Sequence, residues 1–395
     1  MQQADGAMAM PRTIGIGLVG VGWMGRLHAA SYRRVADHFP ECAGRPRLVI
    51  AADELEERAG VAVEQFGFEA ATTDAYEVIA HPDVEAVSIT GPNHVHKPVA
   101  LACAAAGKHF WAEKPLGRFP SETLEIAAAA RDAGIITTVG FNYRQAPAVQ
   151  HAHRLIASGR IGEVRNYRGY FLVDYASDPD TALSWRFLRE TAGLGVLGDL
   201  MSHVVDMALW LGGPIVDVCA QERIEVPSRP LQSAPATAHY AVNVGAPRGK
   251  VENEDYVGSL VRFDNGACGT LEVGRAILGH RCRMGFELHG AHGAIGWDFE
   301  RMNELQLYLP GAGDSDTGYA RVLAGPQHGD FHRFQPGPGI PMGYGDLKAI
   351  EAYVFLQSVG DGRHRAPSAD DARDMARVLL AMQQSVEARG WQSVC

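Results

Sequence analysis

The chain has 395 residues, 46% of them hydrophobic and 21% charged, which is enough for two ordinary soluble domains. Its formal charge of −10 argues against nucleic acid or an anionic membrane as the main partner, and no apolar run is long enough to span a bilayer. Residues 1–10 lack the basic and apolar regions of a signal peptide, so we expect a disordered tail there. None of the six cysteines forms a C-x-x-C pair, which predicts reduced thiols in a cytoplasmic protein and no metal site.

An apolar run at residues 14–19 leads into the sequence GVGWMG, which opens a segment of helical character. Strand, glycine turn and helix in this order are typical of a dinucleotide-binding fold. Gly20 would make the tight turn, Gly22 would admit a pyrophosphate to the backbone, and Gly25 would let the helix pack on the strand. A lone G-x-G-x-x-G also occurs by chance in a chain with 45 glycines, so the prediction depends on the flanking strand and helix.

A second apolar run, residues 48–52, ends at Asp53, where an acid is expected to hold the adenine ribose hydroxyls. The spacing from Gly25 is longer than usual, and we assign the excess to a loop over residues 38–46. Asp53 and Glu54 would both repel a 2′-phosphate, so the cofactor is predicted to be NAD, with NADP the alternative.

The first half of the chain alternates strands with helices. Strands are predicted at residues 14–19, 48–52, 84–90, 109–112 and 135–140, and helices at 24–35, 56–66, 97–106 and 122–133. This order predicts α/β structure, with a Rossmann-type domain over residues 11–142 built on a doubly wound parallel sheet. Ligands bind such sheets at the carboxyl ends of the strands, where Asp53, Thr90 and Lys114 all fall, so one cleft would collect them.

From Val164 onward the apolar residues alternate with polar ones, as expected of antiparallel strands. Strands are predicted at residues 164–175, 216–225, 256–263, 267–275 and 284–289, helices at 149–158, 196–211, 346–359 and 369–388, and loops at 228–253 and 311–341. The turn Asp264-Asn265-Gly266 predicts a hairpin. Residues 143–395 would form an α+β domain with a large open, mainly antiparallel sheet, and a homodimer or homotetramer would form through that sheet.

Four motifs occur in order at predicted strand ends: GVGWMGRLHA, TGPNHVH, AEKPL and GFNYR. Together they resemble the oxidoreductase family named after glucose–fructose oxidoreductase and inositol dehydrogenase (Gfo/Idh/MocA). The stretches DPDTALSWR and GFNYRQAPAV are most similar to the levoglucosan dehydrogenase-type subgroup of that family. The resemblance covers nearly the whole chain. It implies an NAD(P)-dependent enzyme whose substrate is a sugar, an anhydrosugar or a cyclitol.

The glycine pattern and the family resemblance together assign the site residues. The cofactor-binding residues are predicted to be Gly20, Gly22, Trp23, Met24, Gly25, Asp53, Thr90, Pro92, Asn93, His96, Glu113, Lys114 and Asn142. The substrate-binding residues are predicted to be Lys114, Tyr143, Arg144, Trp185, Arg186, Asp199 and His203. For His96 a purely structural role is the alternative.

The predicted helix over residues 196–211 carries Asp199 and His203, which are four residues apart and therefore neighbours on one face. On an arbitrary helix such a pair is more often a capping Asp beside a partly exposed His. In inositol dehydrogenase-like members of the family, an Asp-x-x-x-His at this place completes a site with the Lys of Glu-Lys-Pro. The resemblance therefore implies Lys114, Asp199 and His203 as catalytic residues, and a Lys114–Pro115 bond that is cis, as in many members.

Trp185 and Arg186 offer an aromatic face for a sugar ring and a donor for its hydroxyls. A loop aromatic packed on the domain edge is an equally weighted alternative. Asn142 and Arg144 are expected to reach the nicotinamide or the substrate. Val173 stands where a polar pocket residue would be expected, so the sequence leaves the identity of the sugar open.

Oxidation of a secondary alcohol requires a hydride acceptor, which the cofactor supplies, and a base on the hydroxyl. We predict that His203 is the base, that Lys114 polarises the reacting oxygen and that Asp199 orients the hydroxyl or the imidazole; the reverse assignment of base and polariser stays open. Two other functions also stay open. One is an NAD-retaining enzyme that cleaves glycosides by transient oxidation of the sugar ring. The other is a non-catalytic nucleotide-sensing regulator, against which the presence of all three residues argues.

Overall fold

The computed structural model describes residues 11–232, 242–310 and 318–395, so the predicted tail and parts of the two predicted loops lie outside the described residues. The first half contains β1 (Arg12–Val19), α1 (Trp23–His38), β2 (Gly44–Ala52), α2 (Glu56–Phe66), β3 (Ala70–Thr72), α3 (Ala75–Ala80), β4 (Ala86–Ile89), α4 (Asn93–Ala105), β5 (His109–Ala112), α5 (Pro120–Asp132) and β6 (Thr137–Val139). The six strands form one sheet in the order β3-β2-β1-β4-β5-β6, and every pair is parallel. The predicted doubly wound parallel sheet is confirmed.

Two predictions for this half need correction. The sheet has a sixth strand, the edge strand β3, whose three residues are too few to show a hydrophobic period. The long spacing between Gly25 and Asp53 is not a loop over residues 38–46, because α1 continues to His38 and β2 already begins at Gly44. The extra residues therefore lengthen a helix and a strand.

The second half contains α6 (Pro147–Ala157), β7 (Val164–Leu172), α7 (Arg189–Ala192), α8 (Val196–Asp199), α9 (Met201–Gly212), β8 (Ile215–Arg223), β9 (Ser228–Pro230), β10 (Arg248–Lys250), β11 (Tyr256–Phe263), β12 (Cys268–Gly274), β13 (Arg283–Gly290), β14 (Ala294–Asp298), β15 (Glu304–Tyr308), β16 (Ala320–Leu323), α10 (Tyr344–Asp361), α11 (Ala369–Ala388) and β17 (Gln392–Ser393). Nine of the strands form a sheet in the order β16-β15-β14-β13-β7-β12-β11-β8-β17. All its pairs are antiparallel except β12 with β7, so the predicted open, mainly antiparallel sheet is confirmed. Short strands also occur inside both predicted loops, namely β9 and β10 in one and β16 in the other.

Helices α9 and α11 pack against the large sheet, and α10 packs against α1 and β2 of the parallel sheet. Helix α10 thus belongs to the second half of the chain but covers part of the first. The apolar face of α9 is buried, as Val204 and Met207 are each 1% exposed. The boundary at residues 142 and 143 stays a prediction.

The stretch Arg189–Gly212 is long and apolar enough to cross a membrane by length and composition, but 83% of its most apolar window is buried inside the protein. That burial is typical of a helix in a protein core. Among the described residues, no group of three or more His, Cys, Asp or Glu side chains is arranged to hold a metal ion.

Candidate active site

The glycine turn after β1 has the geometry that a dinucleotide requires. Gly20 has a φ of +95°, and a Cβ on it would lie 2.5 Å from the backbone nitrogen of Gly91. A Cβ on Gly25 would lie 1.9 Å from the carbonyl oxygen of Gly20, so helix and strand approach as closely as predicted. In the described structure no atom, apart from those of Gly22 itself and of its two chain neighbours, lies within 4 Å of the place a Cβ on Gly22 would take. This space lies beside the N-terminus of α1, where unpaired N–H groups fit a pyrophosphate.

Asp53 follows β2 directly and faces the same cavity as the glycine turn. Its Oδ2 accepts a hydrogen bond from the backbone N–H of Val21 at 2.8 Å, and its Oδ1 accepts one from Leu55 at 3.1 Å. A carboxylate offers about four lone-pair positions, so two of them stay open for ribose hydroxyls. The exposed Glu54 lines the cavity beside it and adds a second negative charge.

The residues after β4 form the next part of the cavity wall. The Thr90 hydroxyl donates to the carbonyl oxygen of Gly20 at 2.6 Å, which ties this strand end to the glycine turn. The two ring nitrogens of the buried His96 each lie 2.9 Å from a carbonyl oxygen, one of Gly91 and one of Pro115. His96 therefore also braces the segment after β5. Among the other predicted cofactor residues, those that line the cavity include Gly22, Trp23, Met24, Pro92 and Asn93.

Lys114 and Asp199 meet on the cavity wall. The Lys114–Pro115 bond is cis, as expected, and Nζ of Lys114 donates to Oδ1 and to the carbonyl oxygen of Asp199, both at 2.8 Å. Because Lys114 binds that carbonyl, the backbone N–H of His203 donates to Leu200 instead, at 3.2 Å. The helix predicted over residues 196–211 is therefore divided into α8 and α9 at Leu200, which corrects the prediction of one continuous helix.

The charge of Lys114 sets the protonation state of its partner. Burial alone would raise the pKa of Asp199, but the Lys114 ammonium and the Arg186 guanidinium outweigh it and hold the pKa of Asp199 well below its usual range. About a third of the Asp199 side chain, 32%, stays exposed. Asp199 is therefore ionised at neutral pH and has lone pairs left for a substrate hydroxyl.

His203 lies beside this ion pair with its ring among aromatic side chains. Its ring centroid is 4.7 Å from that of Tyr143 and 5.9 Å from that of Phe171. Within the described residues, its ring nitrogens form no hydrogen bond, although it lines the cavity and is only 6% exposed. Burial and then the Lys114 charge lower the pKa of His203 well below 6.5, so the imidazole is neutral at neutral pH. A neutral imidazole with an open nitrogen can accept a proton.

A row of aromatic side chains runs along the cavity from the glycine turn to His203. Trp23 stacks on Tyr344 at 5.7 Å, Tyr344 meets Phe299 edge-on at 6.1 Å, and Phe299 meets Tyr143 at 4.8 Å. Tyr344 and Phe299 come from the second half of the chain and had no role in the prediction. Flat apolar surfaces of this kind suit a nicotinamide ring or the apolar face of a sugar ring.

Trp185 and Arg186 also line the cavity. The guanidinium of Arg186 lies 4.3 Å from the Trp185 ring centroid, and its buried Nη1 has no hydrogen-bond partner among the described residues. The carbonyl oxygen of Arg186 accepts bonds from Asn253 at 3.0 Å and from Arg275 at 3.3 Å, which fixes the segment. The structure therefore brings both residues to the cavity wall.

Two predicted site residues do not reach the cavity. The buried guanidinium of Arg144 donates to Asp206 at 2.8 and 2.5 Å and to Asp371 at 3.0 Å, so two carboxylates already satisfy it. The expectation that Arg144 contacts substrate or nicotinamide is corrected for that reason. Asn142 is 1% exposed and starts a short 3₁₀ turn, which directs Tyr143 rather than Asn142 to the cavity.

The sequence did not predict a buried ion-pair cluster behind Glu113. Nζ of Lys348, fully buried in α10, lies 2.5 Å from Oε1 of Glu113 and 2.8 Å from Oε2 of Glu351. Nε2 of His28 lies 3.0 Å from the same oxygen of Glu113. Burial alone would raise the pKa of Glu113, but Lys348 and His28 hold it well below its usual range. In the sequence, the available signal for this cluster was the pair of charged residues Lys348 and Glu351, three positions apart on the buried face of α10.

One cavity of about 940 Å³ is lined by the glycine turn, Asp53, the residues after β4, Glu113, Lys114, the row of aromatic side chains, Trp185, Arg186, Asp199 and His203. That volume lies at the upper end for small-molecule sites and has room for a dinucleotide's reactive half together with a substrate. One end holds Gly22 and Asp53, and the other holds Lys114, Asp199 and His203. The arrangement joins a nucleotide site to an acid–base site.

Comparison with known families gives a match to both halves of the chain. Residues 14–141 match the family described as "Oxidoreductase family, NAD-binding Rossmann fold". Residues 149–296 match the family described as "GFO/IDH/MocA C-terminal domain".

Similar proteins of known name are sugar and cyclitol dehydrogenases. The chain is 37% identical to levoglucosan dehydrogenase of Pseudarthrobacter phenanthrenivorans over 97% of this chain and 98% of that protein. It is 28% identical to inositol 2-dehydrogenase of Rhizobium meliloti over 93% and 95% of the two chains. A solved structure of levoglucosan dehydrogenase in complex with NADH and levoglucosan has a TM-score of 0.91 at 36% identity and covers 97% of this chain and 100% of its own.

Proposed function

Because the chain belongs to the GFO/IDH/MocA oxidoreductase family, we propose that it oxidises a secondary hydroxyl of a sugar, an anhydrosugar or a cyclitol with NAD as hydride acceptor. One observation carries the proposal. The Lys114–Asp199 ion pair and the unbonded ring of His203 line one cavity with the glycine turn. A nucleotide-sensing regulator would have no use for an ionised acid and a neutral imidazole at the nicotinamide end.

Gly20, Gly22 and Asp53 would hold the dinucleotide, which supplies the hydride acceptor when bound. Asp53 and Glu54 favour NAD over NADP, because two carboxylates at the ribose would repel a 2′-phosphate. The relatives support this choice, since three of the levoglucosan dehydrogenase structures are complexes with NADH.

The side chains divide the work on the substrate hydroxyl. His203, neutral and without a hydrogen bond among the described residues, takes the hydroxyl proton. Lys114, held by Asp199, donates to the same oxygen and stabilises its developing negative charge. Asp199 accepts from a hydroxyl and keeps Lys114 in place. The alternative is that Lys114 takes the proton and His203 polarises the oxygen.

The substrate class follows from the cavity wall and from the relatives. Tyr143, Phe171 and Trp185 offer flat apolar surfaces, and Arg186 brings a guanidinium, which carries several N–H donors, to the same wall. A ring with an apolar face and several hydroxyls matches both features. Levoglucosan and inositols, the substrates in the names of the relatives, are rings of this kind.

The test is a substrate panel with NAD as oxidant and NADH absorbance as readout. It contains levoglucosan, myo-inositol, scyllo-inositol, glucose and simple glycosides. Net NADH formation with a free sugar or cyclitol supports the dehydrogenase. Cleavage of a glycoside without net NADH would favour the NAD-retaining glycosidase, and NADH binding without turnover of any member would overturn the enzyme proposal.

We also infer a homodimer or homotetramer formed through the large sheet, in a cytoplasmic protein. In β11 buried residues alternate with more exposed ones, so one face packs on the core and the other, including the 51% exposed Leu260, points outward. Sedimentation velocity should give at least twice the chain mass of 42.6 kDa. A monomer at micromolar concentration would contradict the inference.

A further inference from the structure

Asp174 is a mostly buried carboxylate with unused hydrogen-bonding capacity. It follows β7 by two residues and lines the cavity together with Val173. Its side chain is 16% exposed, yet among the described residues its carboxylate accepts no hydrogen bond and has one ionic neighbour, Nη1 of Arg281 at 2.8 Å. Carboxylates that lose most of their water usually gain hydrogen-bond donors in exchange, so this one points to a donor that the ligand supplies.

Arg281 is a weak partner for that carboxylate. Its side chain is 85% exposed, so water already solvates the guanidinium, and exposed ion pairs contribute little. The backbone around it is fixed independently, because Oε1 of Glu300 accepts hydrogen bonds from the N–H groups of Arg281 and Cys282. The Arg281 side chain can therefore leave Asp174 without a rearrangement of the segment.

Asp174 belongs to the substrate end of the cavity rather than to the nucleotide end. It continues from Phe171, whose ring centroid is 5.9 Å from that of His203 and 5.9 Å from that of Tyr143. Arg281 and its neighbour Cys282 line the same cavity as Tyr143. Both members of the ion pair thus lie on the wall that carries the predicted base.

We propose that Asp174 is a specificity-determining residue that accepts hydrogen bonds from one or two substrate hydroxyls other than the reacting one. It selects neutral polyhydroxy rings, because a carboxylate accepts from hydroxyls and repels an anionic sugar. In the sequence, Val173 stands where a polar pocket residue would be expected, and Asp174 is the next residue along the chain. The proposal rests on the proposed function and adds to it a residue that determines which substrates bind.

The experiment compares Asp174→Asn with Arg281→Gln in the full-length protein. Asp174→Asn keeps the shape of the side chain, removes its charge and adds an N–H₂ donor. The matched control is Glu125→Gln, the same kind of change on an exposed carboxylate of α5 that pairs with Lys97, away from the large sheet. The readouts are kcat and KM for levoglucosan and myo-inositol with NAD, and direct titration of the NADH complex with each of them by calorimetry.

Asp174→Asn should raise KM and the dissociation constant of the better ligand at least about tenfold, which corresponds to about 1.4 kcal/mol, with kcat and NADH affinity changed less than about threefold. Arg281→Gln should raise them no more than about threefold, and Glu125→Gln should leave them unchanged. If Asp174→Asn and Arg281→Gln raise KM equally, the two residues act only as an ion pair, and the proposal is overturned.

The calorimetric titrations distinguish a failure of this inference from a failure of the proposed function. If wild-type protein turns over no sugar but binds levoglucosan or myo-inositol less tightly after Asp174→Asn, the inference holds and the proposed function fails. If wild type turns sugars over and the variant binds them as well as wild type does, the inference fails and the proposed function holds. If the wild-type NADH complex binds neither ligand, both are overturned.

Discussion

The stretch from α8 to α9 carries two acid–base clusters that look alike in the sequence and differ in the structure. Asp199 pairs with Lys114 and has lone pairs left toward the cavity, with about a third of its side chain exposed. Seven residues along, Asp206 pairs with Arg144 through both of its oxygens and is 2% exposed. The first cluster is open to a ligand, whereas the second is closed on itself and holds the core together.

The same contrast separates two buried histidines. The ring of His28 stacks on Trp111 at 3.5 Å, and its two nitrogens meet Ser88 at 3.2 Å and Glu113 at 3.0 Å. The ring of His203 is buried among aromatic residues but has no hydrogen bond within the described chain. Burial therefore does not distinguish a functional polar group from a structural one. The distinguishing feature is hydrogen-bonding capacity left open toward a cavity.

The largest effect is expected at the open cluster. Lys114→Met and His203→Ala should each lower kcat/KM for a good sugar substrate by at least about 100-fold, because each removes a group that acts on the reacting oxygen. Steady-state NADH formation measures the change. The control is Lys97→Met, which removes a lysine paired with Glu125 on the surface of α4 and should have no effect. A fall of less than about tenfold in both site variants would refute the assignment.

The closed cluster should respond in stability rather than in chemistry. Arg144→Leu should lower the free energy of unfolding by about 3–5 kcal/mol, because Asp206 would be left as an uncompensated buried carboxylate. Urea unfolding measures the loss. The double variant with Asp206→Leu should recover part of it, since removal of both charges of a buried pair costs less than removal of one. If the Arg144→Leu protein is stable but has a raised KM for sugar, the result would instead support the original prediction that Arg144 contacts the substrate.

The two histidines should differ in their pH dependence. Burial lowers the pKa of His28 to about 4 from 6.5, so between these values the unfolded chain binds more protons than the folded one. The contribution of His28 to stability is therefore fully present above pH 6.5 and is lost as the pH falls toward 4, by about 3 kcal/mol.

Urea unfolding from about pH 7 to about pH 4.5 should be less steep in pH for His28→Gln than for wild type. For His203 the corresponding measurement is the pH dependence of activity rather than of stability. The pKa of His203 is also lowered, so the acid limb of kcat/KM in wild type should lie well below pH 6.5. An acid limb at the ordinary histidine value would contradict the neutral buried imidazole.

The smallest effect is expected at Asp53, whose carboxylate is partly satisfied by Val21 and Leu55 and partly open. Asp53→Ala should raise KM for NAD about tenfold and leave KM for sugar unchanged, because it removes the acceptors for the ribose hydroxyls and for the Val21 N–H of the glycine turn, which all lie on the nucleotide side. The preference for NAD over NADP should fall at the same time. Glu57→Ala, an exposed acid at the start of α2, is the control. An unchanged ratio of kcat/KM for NAD and NADP would disprove the role of Asp53.

Local patterns in the sequence determined the order of elements and the cofactor side of the site. The glycine turn, the acid after β2 and the bounds of α2 and α11 depend on residues close together in the chain, where backbone conformation and hydrophobic period are set. For these features the tertiary structure added distances but changed no assignment.

Only the tertiary structure decided which polar groups stay open. Arg144 is satisfied by Asp371, 227 residues away, and Glu113 is satisfied by Lys348, 235 residues away. The break at Leu200 likewise depends on Lys114, 85 residues before the carbonyl that it binds. Partners so far apart leave no periodic trace in the sequence, because a hydrogen bond is set by distance in space rather than along the chain. The availability of a charged side chain for catalysis is therefore a property of the folded protein.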